Sequence, residues 1–177
     1  QFMRWYSQSG TPELVCKLDW DARTRTAELT VDQVLPATPG QPRKKPFHIP
    51  LKMGLIGGNG EEIELKLEGR GRVEDGLVEV TEAKQVFRFV DVPSRPVPSL
   101  LRGFSAPVNL SIDLSERDLE YLIVHDSDLY NRWQAMQMLA TRTMIEIVEA
   151  ARDGRSVRPG ARLAKAMGTA LGDERLE

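Results

Sequence analysis

The sequence predicts a β-sandwich followed by an α-helical segment. Three observations carry that expectation. Apolar residues alternate with polar ones, at a period near two, from Pro12 to Asp113. At Ser115 the apolar spacing lengthens to that of an α-helix. Prolines gather in two connections instead of spreading through the alternating runs.

The runs follow in order. Cys16, Leu18 and Trp20 alternate with Val15, Lys17 and Asp19, and Ala27, Leu29 and Val31 with Glu28, Thr30 and Asp32. Ile63, Leu65 and Leu67 alternate with Glu62, Glu64 and Lys66, and Val86, Phe87, Phe89 and then Val108, Leu110, Ile112 continue the pattern. Each run is short, half apolar and bounded by Gly, Pro, Asn or Asp. About seven such strands over roughly 100 residues indicate an antiparallel sandwich of immunoglobulin-like type. Pro36, Pro39, Pro42, Pro46 and Pro50 stud one connection, and Pro93, Pro96 and Pro98 another. Proline has no N–H to give a central ladder, so these segments read as edges and crossovers.

The glycines Gly54, Gly57, Gly58 and Gly60 imitate a phosphate-binding loop. Such a loop needs a helix after it, whose N-terminus faces the phosphate. Residues 61–67 instead carry a strand pattern, and Asn59-Gly60 is a hairpin signal, since both residues tolerate positive φ.

The helical part opens at Ser115, whose hydroxyl and the Asp118 carboxylate are spaced for a capping box. Leu119, Leu122 and Ile123 supply a short apolar face, and a break comes at His125 to Ser127. The longest helix comes next. Leu129, Trp133, Met136, Ala140, Met144, Ile147 and Ala151 form its stripe, Met138, Leu139, Ile145 and Val148 widen it, and Arg132, Arg142, Glu146, Glu149 and Arg152 lie mostly off it. Gly154 is a natural stop. A third helix is expected to start near Pro159, with Leu163, Met167 and Leu171 on one face.

His125, Asp126 and Ser127, with Asp128 behind them, concentrate the residue types of a hydrolase triad or a metal site. Adjacent side chains point different ways, and triads are assembled from separated loops. A zinc site needs three good ligands, and the chain holds two histidines, His48 and His125. A helix cap needs only Ser127 or Asp128 before an apolar helix, and that reading is preferred.

Composition narrows the classes further. A formal net charge of −2 leaves no basic excess for nucleic acid, and Arg43-Lys44-Lys45 reads as a solvated loop among prolines. No apolar stretch approaches the ~20 residues of a membrane span. The single cysteine, Cys16, excludes an internal disulfide and reads as a small buried hydrophobe in a cytoplasmic protein. Both ends read as cut: the chain opens into Phe2, Trp5 and Tyr6, the helical stripes run out of partners before Glu177, and Leu176-Glu177 is open to being a cloning remnant.

Four segments, FMRWYSQSGTPEL, PATPGQPRKKPFHIPLKMGLI, RPVPSLLRGFSAPVNL and HDSDLYNRWQAMQML, occur in this order. Together they closely resemble the bacterial aminopeptidase N family, zinc metallopeptidases of the gluzincin type, across nearly the full chain. The resemblance implies the end of a catalytic-domain connection at residues 1–11, the small sandwich at 12–114, and the first helices of a C-terminal helical domain at 115–177. The family's zinc helix, His-Glu-x-x-His, and its Gly-x-Met-Glu-Asn loop are absent. No catalytic, cofactor-binding or metal-binding residue is therefore carried onto this chain, and Tyr6 and Tyr121 lack the context of the family's catalytic tyrosine. The resemblance implies a linking region of a parent that uses zinc and releases N-terminal residues from peptides. Its expected contacts are the catalytic and helical domains of that parent, with no nucleic acid or membrane partner. The isolated chain is expected to dimerise through the helix of Trp133, Met136 and Ile147. The alternative is a free-standing sandwich that binds a peptide or protein at an edge strand, with a helical tail.

Overall fold

Residues 1–156 and 160–173 are described by a computed structural model. Two compact units divide the chain, Gln1–Asp113 and Leu114–Glu177. The first holds a helical turn, α1 (Arg4–Ser7), and the strands β1 (Glu13–Asp21), β2 (Thr26–Val34), β3 (Ile49–Ile56), β4 (Glu62–Ile63), β5 (Lys66–Leu67), β6 (Gly71–Arg72), β7 (Leu77–Val80), β8 (Lys84–Phe89), β9 (Val97–Leu100) and β10 (Asn109–Ile112). The second holds α2 (Glu116–His125), α3 (Leu129–Arg152) and α4 (Ala161–Leu171). Among the described residues seven strands have four or more residues, and the expected sandwich is present.

One sheet runs β10-β1-β2-β8-β5-β6, and the other β4-β3-β7, with β9 also on β3. The alternation dictates what lies between them. Leu14 and Cys16 of β1, Ala27, Leu29 and Val31 of β2, and Phe87 and Phe89 of β8 are buried in one cluster with Ile49, Leu51, Met53 and Leu55 of β3 and Val78 and Val80 of β7. Each fully buried side chain of this kind contributes about 1.5–3 kcal/mol, before the entropy of ordering it.

Four details differ from the sequence reading, each for a local reason. The sandwich is not wholly antiparallel: β10 pairs with β1 in parallel, Glu13 opposite Asn109 and Cys16 opposite Ile112. A period of two fixes which face a residue takes and says nothing of strand direction. Residues 62–67 do not form one strand. Glu62 and Ile63 pair with β3, and Lys66 and Leu67 pair in the other sheet, so the run crosses between layers. The Asn59-Gly60 hairpin forms, but only Gly60 takes positive φ, at 85°. Gly60 donates to the Gly57 carbonyl and Gly57 to the Glu61 carbonyl, the pattern of a three-residue loop ending in a left-handed glycine. Pro50 and Pro98 lie inside β3 and β9. Pro50 occupies the half of β3 that pairs with β7 alone, and β9 pairs with β3 alone, so both remain edge positions.

The proline-rich connection before β3 is held by side chains acting on backbone. Gln33 accepts from Phe47 N–H at 2.9 Å and donates to the Phe47 carbonyl at 3.1 Å. Trp5 stacks on Phe47 at 4.4 Å between centroids and donates to the His48 carbonyl. Gln8 bonds both the carbonyl and the N–H of Lys45.

In the second unit the capping box forms as expected: Ser115 Oγ accepts from Asp118 N–H, and the Asp118 carboxylate accepts from Ser115 N–H. Asp128, not Ser127, caps α3, accepting from Asn131 N–H at 2.9 Å. Past Arg152 the chain turns at Gly154, φ 67°, with Gly154 donating to the Ala151 carbonyl and Arg155 to the Ala150 carbonyl. These two bonds make a Schellman stop. The helix expected near Pro159 has its described start at Ala161, and Pro159, like Leu176 and Glu177, lies outside the described residues.

Gly76 leads into β7 at φ 68°, and a Cβ there would sit 2.3 Å from the Met53 carbonyl oxygen. Both the conformation and the contact forbid a side chain. Gly76→Ala is expected to lower unfolding free energy by about 2–4 kcal/mol, measured by urea denaturation.

Candidate functional site

The stretch richest in reactive residue types turns out to be committed to backbone. His125 is the last residue of α2, its ring 4.4 Å from that of Tyr121. Asp126 is buried at the C-cap, and its Oδ1 accepts from Asp128 N–H at 3.0 Å. The Asp128 carboxylate is the N-cap of α3. The two carboxylates thus shape a turn. His48 stands in the sandwich unit, 3.3 Å from Glu79. No group of three or more His, Cys, Asp or Glu among the described residues is placed to hold a metal ion. The described residues therefore do not fit a catalytic zinc.

The charged residue that matters most in the helical unit is Arg132, which the sequence reading placed off the apolar stripe. Its Nε donates to the Ile123 carbonyl at 2.8 Å and its Nη1 to Asp173 Oδ2 at 3.0 Å. The two side chains are 9% and 10% exposed. Arg132 therefore ties the end of α2, the start of α3 and the residue beyond α4. The buried face of α3 carries Asn131, Arg132, Ala135, Leu139 and Ala150. At roughly 100° per residue, this face lies about a third of a turn from the predicted stripe. Leu129, Trp133 and Met144 of that stripe are more than half exposed, as are Ile145 and Val148 beside it. Several large apolar side chains are thus outside, while Leu139 and the small Ala135 and Ala150 are inside.

A second buried arginine serves the sandwich. Arg102 donates through Nε to Ser99 Oγ at 2.8 Å and through Nη1 to Glu62 Oε1 at 2.7 Å. Its guanidinium lies against Gly54, where a Cβ would stand 2.3 Å from the guanidinium carbon. The loop bearing it holds Leu101 at φ 61° and Phe104 at 53°, strained values for residues with side chains.

Two concavities open among the described residues. One of about 560 Å³ is lined by the Gly57–Asn59 loop, Glu61 to Glu64, Lys66, Asp91 and Ser94. Lys66 stands between Asp91 at 3.3 Å and Glu64 at 3.4 Å, and these partners, Asp91 first, raise its pKa. Glu62 is engaged by Arg102 from outside the lining and Glu61 by Asn59, so the lining charges are largely partnered. The other, about 240 Å³, lies between α2 and α4. Cys16 faces the core; burial, with a smaller contribution from the Asp32 charge, pushes its thiol up to about 12. It is a protonated packing residue and no nucleophile at neutral pH. No described helix is long and apolar enough to cross a membrane.

Residues 10–113 match the family described as "Domain of unknown function (DUF3458) Ig-like fold". The chain belongs to this DUF3458 family. Residues 116–177 match its companion, DUF3458_C, described as ARM repeats. The DUF3458 chain is 37% identical over 177 residues to Aminopeptidase N of Escherichia coli, covering 99% of this chain and 20% of that protein. It is 44% identical over 139 residues to Aminopeptidase N of Haemophilus influenzae, covering 78% of this chain and 16% of that protein. It is 38% identical over 176 residues to the Caulobacter vibrioides Aminopeptidase N, covering 99% and 19%. The crystal structure of Legionella pneumophila aminopeptidase A in complex with aspartic acid superposes with a TM-score of 0.76 at 28% identity, covering 98% of this chain and 18% of that one. The expected resemblance to bacterial aminopeptidase N is borne out. The DUF3458 chain spans about a fifth of the length of these relatives.

Replacing Arg132 removes the guanidinium that donates to Asp173 and to the Ile123 carbonyl. Arg132→Met is expected to destabilise the helical unit by about 3 kcal/mol or more, read from the helix signal in urea denaturation. Adding Asp173→Leu should recover part of the loss. Cys16 makes a separate prediction. An unfolded thiol loses its proton from near pH 9, while the folded one keeps it to about 12. The folded state then binds the extra proton, so stability falls as pH rises from 9 to 12, by at most about 1.4 kcal/mol per pH unit. Cys16→Ala should abolish that component of the alkaline slope.

Proposed function

We propose that this chain is a non-catalytic linking region of a zinc-dependent aminopeptidase that releases N-terminal residues from peptides. The observation that carries the reading is the match, end to end and in order, to a fifth of Aminopeptidase N. Zinc, the general base and the recognition of the substrate's free amine belong, on this reading, to a catalytic domain encoded upstream. The sandwich joins that domain to a helical domain, of which α2 to α4 are the beginning. Residues 1–11, 12–114 and 115–177 divide accordingly into connection, sandwich and first helices. Peptide substrates and zinc are partners of the parent, the setting is cytoplasmic, and no residue of this chain touches the reacting atoms.

The hydrogen bonds that tie the N-terminal residues to the sandwich support a linking role. Gln1 donates to the carbonyls of Pro46, Phe47 and Thr81, and Arg4 to that of Pro46. A connection held this way transmits the orientation of whatever chain precedes it. On the alternative reading, a free-standing peptide-binding module, no such preceding domain exists.

The purified chain is expected to show no hydrolysis of aminoacyl anilides and no stoichiometric zinc by atomic absorption. A zinc-dependent rate that co-purifies with the chain, and survives removal of host peptidase, would overturn the proposal. The upstream coding sequence should read through a His-Glu-x-x-His motif; a start codon at or just before Gln1 would favour the free-standing module.

A further inference from the structure

The Asn59-Gly60 turn places a side-chain amide next to a backbone nitrogen that can react with it. Gly60 has no Cβ to keep its nitrogen away from the Asn59 carboxamide, and Asn59 is exposed to water. The other asparagines precede bulky residues inside regular elements: Asn109 comes before Leu110 in β10, and Asn131 before Arg132 in α3.

The loop adds an arrangement of its own. Glu61 N–H donates to Asn59 Oδ1 at 3.2 Å, the oxygen that gains negative charge when Asn59 Cγ is attacked. Asn59 Nδ2, the nitrogen that would leave, donates to Glu61 Oε2 at 2.7 Å. The side-chain amide is thus bound at both ends to Glu61, across the Gly60 residue between them. One contact opposes the reaction. Gly60 N–H donates to the Gly57 carbonyl at 2.9 Å, and that bond has to open first. It closes a surface turn, and such bonds open locally at far less free energy than global unfolding needs.

We propose that Asn59 is a modification site, which deamidates in the folded protein through a cyclic imide formed with Gly60. The Gly60 nitrogen attacks Asn59 Cγ and gives up its proton. A C–N bond forms, the Cγ–Nδ2 bond breaks, and ammonia leaves. Water then opens the imide at either carbonyl, leaving aspartate or isoaspartate. Nothing is oxidised or reduced, and water is the co-reactant. The product carries a carboxylate where the amide donated to Glu61, at the rim of the concavity of about 560 Å³. That lining already holds Glu61, Glu62, Glu64 and Asp91 against Lys66, so conversion adds like charge. Isoaspartate also inserts a carbon into the backbone of the turn that joins β3 to β4. The site rests on this turn alone, so its failure leaves the peptidase reading untouched, and the reverse holds too.

The test keeps the whole folded chain in warm, mildly alkaline buffer and follows its proteolytic peptides by mass spectrometry. The peptide carrying Asn59 should change from amide to acid and split into two products. Its rate should lie within about tenfold of that of a free peptide of residues 57–61, with Asn109 and Asn131 unchanged. Asn59→Gln, whose longer side chain has to close a larger ring, should keep its amide and the circular dichroism of the parent chain. Conversion of that variant at the same rate would overturn the imide route. Retention of the Asn59 amide in native buffer, with conversion in urea alone, would overturn the proposal, because the Gly57 bond would then hold the nucleophile in place. Equal conversion at Asn109 or Asn131 would overturn the part given to the turn.

Discussion

A guanidinium taken out of water needs an anion and acceptors close to it, and each unit of this chain holds one such group. Desolvating the charge costs several kcal/mol, so the surroundings are tightly constrained. Arg102 requires Ser99 of β9, Glu62 of β4 and the bare backbone of Gly54 on β3. Those three strands are brought together around one side chain. Arg132 requires the Ile123 carbonyl and Asp173, and so holds three helices at their ends. In both places specificity comes from a charge that has no other acceptable surroundings, while the bulk of the stabilisation comes from the apolar residues nearby.

The proline-rich connection faces a related constraint. Prolines offer carbonyls and no donors, so the segment from Pro36 to Pro46 cannot build a ladder of its own. Long polar side chains take the place of the missing strand. Lys44 donates to the carbonyls of Pro36 and Ser9, and Gln41 to that of Ser7, while Gln33 and Gln8 each give and receive. The N-terminal residues are thereby made part of the sandwich, although they precede its first strand. Sequence composition, local hydrogen bonding and attachment of the chain are three levels of one arrangement.

Much of this is legible in the sequence, and what is not has identifiable causes. The two layers follow from alternation at Ala27, Leu29 and Val31, and the helix start from Ser115 and Asp118, because these signals are local. The crossing of residues 62–67 between sheets is not legible: an unbroken alternation does not say which sheet takes which residues. The inner face of α3 is misplaced when bulk is taken as a sign of burial. Ala135 and Ala150 are inside because helices meet closely there, and Arg132 is inside with Nε and Nη1 engaged by the Ile123 carbonyl and Asp173. Trp133, the bulkiest residue of the predicted stripe, is instead about half exposed. Of the candidate site, the cap function at Asp128 is legible, and the arginine nodes are not, since partners such as Glu62 and Asp173 stand about forty residues away.

The parallel pair β1–β10 has a mechanical consequence. The chain enters the sandwich at the start of β1 and leaves it at the end of β10, and Glu13 to Cys16 lie alongside Asn109 to Ile112. Tension applied between the preceding and following segments pulls these two neighbours lengthwise in opposite directions. Their hydrogen bonds are then loaded together in shear, instead of being peeled open one by one as in a hairpin pulled from its free ends. The sandwich would resist being drawn out from that side, with the residues before β1 and the short edge strand β10 loaded together.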